Sequence, residues 1–142
     1  MLSLTQTSYY KDVLKEINYE FGDVFIFNGF FVSEIKEGVT FSWENHALHM
    51  INDLQEFTKS NGSDLIYLSH RIHSYSVVPT DWLKFVKSDF SLKGYGIISY
   101  SETGLVNTLI ENLFFKKTIR RFTSIQTAVN WAKQFDLVET EK

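Results

Sequence analysis

The stretch that decides the fold is DVFIFNGFFVSEI, residues 23–35. Two runs rich in aromatic and β-branched residues, Asp23 to Phe27 and Phe30 to Ile35, flank the dipeptide Asn28-Gly29. Asn-Gly accepts the positive φ angles of a type I′ turn, whose twist suits a pair of antiparallel strands. The stretch therefore predicts a β-hairpin whose second strand is ended by Gly38.

Upstream of the hairpin, the apolar residues Ile17, Tyr19 and Phe21 alternate with polar ones. Because alternation is the period of a half-buried strand, we expect the first strand of the hairpin to begin before Asp23.

The rest of the chain alternates between helical and strand patterns. The strands are predicted at Asp64 to Ser69, Tyr95 to Tyr100 and Thr118 to Phe122. The first predicted helix, Trp43 to Lys59, is capped by Ser42 and ended by Asn61-Gly62, and the second is opened by Pro79 or Thr80. A third helix has apolar residues from Leu105 to Phe114, and the last is opened by a capping box of Thr123 and Gln126. Strands that alternate with helices imply a mostly parallel sheet with right-handed crossovers. The predicted class is α/β: an N-terminal hairpin followed by βα units.

Composition bounds the organisation and the location of the chain. Its 142 residues predict a single domain at residues 17–136, with an N-terminal extension at 1–16 and a polar C-terminal tail at 137–142. The sequence contains no cysteine, which excludes disulfides and thiol chemistry and fits a reducing compartment. The net charge of −3 argues against general nucleic-acid binding. With no apolar stretch of about 20 residues and polar residues near the start, we expect a cytoplasmic protein without a membrane span.

Two local phrases carry a family resemblance. The run from Phe31 to Gly38, followed by Trp43, and the closing run from Arg121 to Trp131 resemble the STAS domain, in particular the bacterial SpoIIAA-like fold of anti-sigma-factor antagonists. The resemblance covers Phe21 to Gln134. It implies a SpoIIAA-like sheet with helices packed on it, and a non-enzymatic module that binds a partner protein.

The resemblance also implies a switch, because in the antagonists a kinase phosphorylates a serine at the start of the second helix. The matching place here lies between Ser69 and Thr80, where the family's own serine phrase is absent. The hydroxyls available for phosphorylation in this stretch are those of Ser74, Ser76 and Thr80.

The predicted loop from Ser69 to Thr80 is the most informative stretch for function. It leaves the carboxyl end of a strand, and open α/β sheets bind ligands along that edge. The residues predicted to contact a partner there are Arg71, His73 and Tyr75, together with Ser101 and Thr103 at the next strand-to-helix turn. The alternative is structural, with Arg71 paired to a nearby acid and the hydroxyls capping helices.

The sequence does not single out a catalytic or metal site. The four histidines form two His-x-x-His pairs, His46/His49 and His70/His73, and a metal site using His46, His70 and His73 is the weak alternative. Helical spacing turns His49 toward solvent, and an extended segment would place His70 and His73 on opposite sides. We therefore predict neither a metal nor a cofactor, and no catalytic residue.

These observations leave two main hypotheses of function. The first is a STAS-like regulatory module, a monomer or homodimer, that binds a partner protein and is optionally switched by phosphorylation. The second is a carrier of a small apolar ligand or lipid, of the CRAL-TRIO type, since aromatic residues make up 16% of the chain and would suit an apolar cavity. An enzyme whose site is assembled from distant residues is a weaker third hypothesis.

Overall fold

The computed structural model describes residues 2–78, 80–100 and 119–135. In chain order, the strands are β1 (Lys15–Tyr19), β2 (Gly22–Phe27), β3 (Phe30–Ile35), β4 (Thr40–Phe41), β5 (Ile66–Arg71), β6 (Ser76–Val77), β7 (Gly94–Ser99) and β8 (Ile119–Phe122). The α-helices are α1 (Leu48–Thr58), α2 (Asp81–Lys87) and α3 (Ile125–Lys133). The predicted helix from Leu105 to Phe114 lies outside the described residues.

The protein is a mixed α/β domain with a mostly parallel six-stranded sheet, in the order β1-β2-β3-β5-β7-β8. β1 and β2 pair antiparallel, as do β2 and β3, whereas β3, β5, β7 and β8 run parallel. The short strands β4 and β6 form a separate parallel pair beside this sheet. The α/β class and the mostly parallel sheet predicted from the sequence are thus confirmed.

The hairpin is confirmed with two corrections. The first strand begins at Gly22, only one residue before Asp23, and Ile17 and Tyr19 belong to the separate strand β1, in which Tyr19 pairs with Gly22 across a tight turn. The turn at Asn28-Gly29 is not of type I′, because Gly29 has a φ of 87° while Asn28 has no positive φ. A glycine at the second turn position is sufficient to reverse the chain.

The predicted start of the first helical segment at Trp43, with Ser42 as its cap, is confirmed, whereas the residues that end it differ from the prediction. Trp43–Ala47 form a wide π-helical turn that continues into α1, and the Ser42 hydroxyl accepts a hydrogen bond from the Asn45 N–H (3.3 Å), as a cap does. The segment ends at Lys59, which adopts the left-handed conformation with φ 59°, and not at Asn61-Gly62.

Two other boundaries predicted from the sequence are wrong. β5 continues to Arg71, because His70 and Arg71 pair with Ile98 and Ser99 of the neighbouring strand and do not belong to a loop. The last helix is capped by Ser124, whose hydroxyl accepts from the Thr127 N–H (3.2 Å), and not by Thr123 with Gln126.

The core is divided by the sheet into two apolar layers. One layer contains Ala128 and Val129 of α3 and also Leu4, which is fully buried although the sequence assigned it to an extension. The other layer contains Met50 and Leu54 of α1. No helix within the described residues is long and apolar enough to cross a membrane.

Candidate functional site

The carboxyl ends of β3, β5 and β7 lie side by side at one edge of the sheet. Successive side chains of a strand point to opposite faces, so the last two residues of β5 separate. His70 lies on the face covered by α3 and the N-terminal residues, where it contacts Glu34. Arg71 lies on the face covered by α1 and α2, where it lines a cavity.

On the α3 face, three side chains form a hydrogen-bonded chain across the strand ends. His70 Nδ1 lies 2.8 Å from Glu34 Oε2, and His70 Nε2 lies 3.0 Å from the Tyr100 hydroxyl. Glu34 also accepts hydrogen bonds from the Ser3 hydroxyl (2.6 Å) and the Leu4 N–H (2.7 Å). Glu34 and His70 are buried, whereas Tyr100 is 36% exposed. The hydrogen-bonded chain therefore connects a buried carboxylate to a tyrosine that is partly exposed.

The direction of these hydrogen bonds follows from the chemistry of the groups. An ionised carboxylate only accepts hydrogen bonds, so His70 Nδ1 carries the proton that faces Glu34. In the neutral ring Nε2 is then an acceptor, and the Tyr100 hydroxyl donates to it. Glu34 thus selects the tautomer that makes His70 a proton acceptor toward Tyr100.

The pKa shifts of the chain agree with this arrangement. Burial raises the pKa of Glu34, but the hydrogen bonds from His70, Ser3 and the Leu4 N–H, together with the attraction to His70 whenever that ring is protonated, leave it below the usual range. Burial and then the charge of Glu34 raise the pKa of Tyr100, while a hydrogen bond with the backbone of Ile125 lowers it. Glu34 is therefore ionised and Tyr100 protonated at neutral pH.

On the opposite face, Arg71 is held by polar and aromatic groups. Its Nε donates to the Ser69 hydroxyl and its Nη2 to the Tyr95 hydroxyl, each at 3.1 Å. Its guanidinium carbon lies 5.3 Å from the centre of the Tyr75 ring, and the Tyr75 hydroxyl is 3.0 Å from that of Ser69. These contacts use the planar fork and the flat face of the guanidinium, which a lysine does not offer.

Arg71 and Tyr75 line an apolar cavity of about 80 Å³ between the sheet, α1 and α2. Its floor consists of buried residues, including Phe31, Met50 and Leu54. The half-buried lining residues mark where the cavity meets the surface; they include Phe41, Ser42, Trp43, Ala47, Tyr75, Val77, Val78, Asp81 and Phe85. The mouth therefore lies near β4, β6 and the starts of the two helical segments.

The structure brings together only part of the predicted site. Arg71 is 8% exposed, so its predicted position on an exposed loop is wrong: pairing with β7 draws it into the sheet. His73 is exposed on the short loop after β5, and Tyr75 is half-buried at the cavity. The candidate phosphorylation residues Ser74, Ser76 and Thr80 are exposed. Ser101 and Thr103 lie outside the described residues.

The histidines that carried the metal alternative have different surroundings. The ring of His46 lies between Phe21 and Phe41, and its Nδ1 accepts a hydrogen bond from the Ser42 N–H (2.8 Å). Burial, and next the charge of His49, lower the pKa of His46. His70 is engaged with Glu34 and Tyr100. Among residues 2–78, 80–100 and 119–135, no group of three histidine, aspartate or glutamate residues is placed to hold a metal ion.

Sequence reasoning missed Glu34 and Tyr100 as candidate functional residues. A usable signal existed for Glu34, since it follows Phe30 and Val32 at the two-residue spacing of one strand face. A carboxylate on a buried face requires a hydrogen-bonding partner. Tyr100 carries no comparable signal, because only the alignment of β5 with β7 brings it to His70.

The chain matches no protein-family model, no curated protein and no solved structure. The class of this protein rests on its fold and its site. It is a mixed α/β domain that carries polar side chains on both faces of the sheet, where β3, β5 and β7 end.

Proposed function

We propose that this protein is a non-enzymatic, STAS-like binding module that takes one apolar side chain of a partner protein into the cavity beside Arg71. The observation that carries the proposal is the cavity itself, apolar at its floor and bordered at its mouth by half-buried residues. Interface energy concentrates where an anchor side chain fills such a pocket, and tyrosine and arginine are common there.

The size of the cavity favours an anchor side chain over a lipid. Sites for drug-sized ligands have volumes of about 300–1,000 Å³, and a dry engineered cavity that binds benzene measures about 150 Å³. At about 80 Å³, the cavity here fits an aliphatic group of roughly three or four carbons. A valine, leucine or isoleucine side chain matches this size, so we favour a partner protein over the carrier of CRAL-TRIO type.

The surroundings of the mouth supply the polar rim that an interface needs. His73 and Ser74 are exposed on the loop that follows Arg71, and Tyr75 joins this loop to the cavity. The Gly38 N–H donates to the Ser74 carbonyl (2.9 Å), which ties the loop to the chain after β3. Such a tie reduces the entropy lost on binding.

Phosphorylation of Ser74 or Ser76 would add negative charge next to this mouth and alter partner binding.

Filling the cavity tests the proposal. Ala47 lines the cavity near its mouth, so Ala47→Leu adds an aliphatic group of the expected size. Wild-type protein and the variant would be used to capture partners from lysate of the native host. We expect the variant to lose at least about 90% of the specifically captured partner, since one anchor residue contributes about 2 kcal/mol or more. Its melting temperature should stay the same or rise, because filled cavities stabilise.

The control is Gln126→Leu, which adds a similar group at an exposed position of α3, on the other face of the sheet. It should capture the partner as wild type does. Equal capture by Ala47→Leu and wild type would refute the cavity as the binding site. A lipid found by native mass spectrometry on protein purified from its host would favour the carrier hypothesis instead.

A further inference from the structure

The chain from Glu34 through His70 to Tyr100 has the geometry of an activated nucleophile, on the face of the sheet opposite the cavity. Covalent catalysts share a hydroxyl or thiol in hydrogen-bond reach of a base, with a third group that orients the base. Here the hydroxyl is that of Tyr100, the base is His70 Nε2 at 3.0 Å, and the orienting group is Glu34 at 2.8 Å from Nδ1.

Two features suit Tyr100 to this role. The residue is 36% exposed, so an external reagent can approach its side chain. Burial of His70 and Glu34 keeps the base and its orienting carboxylate in place and shields their interaction from water. Burial and the charge of Glu34 raise the pKa of Tyr100 more than the hydrogen bond with the Ile125 backbone lowers it, so the phenol keeps its proton until a base such as His70 removes it.

We propose that Tyr100 is a covalent acceptor for activated acyl groups, such as those of aryl esters or thioesters, with His70 as its general base. The Tyr100 oxygen forms a bond with the carbonyl carbon, and the bond from that carbon to the leaving oxygen or sulfur breaks. The phenolic proton passes to His70 Nε2 and then to the departing group. Glu34 acts as a positioning residue, because it holds the tautomer of His70 and stabilises the transient imidazolium. The product is an O-acyl tyrosine.

Tyr10 provides an internal control in the same polypeptide. It is 40% exposed, and its hydroxyl donates to the Glu16 carboxylate at 2.5 Å. The two tyrosines are thus similarly exposed and both are hydrogen-bonded, but a carboxylate is a much weaker base than imidazole. A difference in reactivity between the two tyrosines is therefore due to the base beside each hydroxyl and not to the exposure of the side chain.

The experiment treats the full-length protein with p-nitrophenyl acetate and maps acetylation by peptide mass spectrometry over time. We expect Tyr100 to react about 100-fold faster than Tyr10, within the range that a general base contributes. His70→Gln should bring Tyr100 down to the rate of Tyr10. Glu34→Gln should slow the acetylation of Tyr100 toward the rate of Tyr10 and leave the rate of Tyr10 unchanged, because the group that holds the tautomer of His70 is lost. The titratable groups that contact the His70 ring within the described residues are Glu34 and Tyr100.

Equal acetylation of Tyr100 and Tyr10 in the wild-type protein would overturn the proposal, and so would acetylation confined to lysines or to His73. A purely structural role for the hydrogen-bonded residues Glu34, His70 and Tyr100 predicts that result. The comparison of Tyr100 with Tyr10 in the wild-type protein decides the matter even where a variant fails to fold. The outcome is independent of the Ala47→Leu experiment, which probes the other face of the sheet.

Discussion

His70 and Arg71 are consecutive residues at the end of β5, and their side chains lie on opposite faces of the sheet. His70 extends a hydrogen-bonded chain between Glu34 and Tyr100, while Arg71 borders the cavity under α1 and α2. One strand end therefore serves two separate sites, and substitutions of these neighbours should have separable effects.

Glu34→Gln should lower the free energy of unfolding by about 2–4 kcal/mol. The carboxylate accepts from Ser3, the Leu4 N–H and His70, and a glutamine replaces one acceptor oxygen with a donor. Urea denaturation followed by circular dichroism measures the loss. Glu16→Gln, which changes a half-buried carboxylate whose hydrogen bonds are solvent-exposed, is the control and should have a smaller effect.

The stability of the wild-type protein should fall in acid because of Glu34. The pKa of this group in the folded protein lies below its ordinary value of 4.5, so its contribution is fully present above pH 4.5 and is lost as the pH falls through the folded value. Denaturation curves from pH 7 to pH 2 should show the difference between wild type and Glu34→Gln shrinking below about pH 4.5. A difference that stays constant over this range would show that the carboxylate is not stabilised in the folded state.

Arg71→Lys should cost about 1–3 kcal/mol in the free energy of unfolding, although the charge is kept. A lysine reproduces neither the pair of hydrogen bonds to Ser69 and Tyr95 nor the stacking on Tyr75. Thermal denaturation compares it with Arg121→Lys, an exposed control that we expect to melt like wild type. An Arg71 variant is therefore expected to change both the stability of the protein and its binding to a partner. Ala47→Leu is the clearer test of binding, because it is not expected to lower the stability.

Leu4→Ala should destabilise the protein by about 2–4 kcal/mol, as large-to-small changes in a core do. Leu4 is fully buried in the layer beneath α3, whereas Leu2 is 56% exposed. Leu2→Ala is the matched control and should leave the urea midpoint unchanged. Equal midpoints for the two variants would show that the N-terminal residues do not contribute to the core.

Two glycines should respond differently to alanine. Gly29 has a φ of 87°, and a Cβ added there would meet open space, so Gly29→Ala should cost only the strain of the left-handed backbone, about 1–2 kcal/mol. Gly62 has a φ of 94°, and an added Cβ would clash with the Ser91 carbonyl oxygen. Gly62→Ala should therefore be clearly less stable than Gly29→Ala in urea denaturation; the reverse order would contradict this packing.

The sequence alone determined the elements whose signals are local. The hairpin around Asn28-Gly29, the helical segment opened by Ser42 and the strand ending near Ser99 follow from turn chemistry, capping and hydrophobic period. These signals act between residues close in the chain, so the α/β class and the alternation of strands and helices could be predicted. The exact ends could not, since the last residues of a strand depend on what lies beside them.

Only the tertiary structure decided the site. Arg71 was predicted on a loop, and it became a buried strand residue because β7 offers it a pairing partner. Glu34 and His70 are 36 residues apart in sequence, His70 and Tyr100 are 30 apart, and no local pattern links them. They meet because β3, β5 and β7 end at the same edge of a parallel sheet, which is a property of strand order and register and not of any one segment.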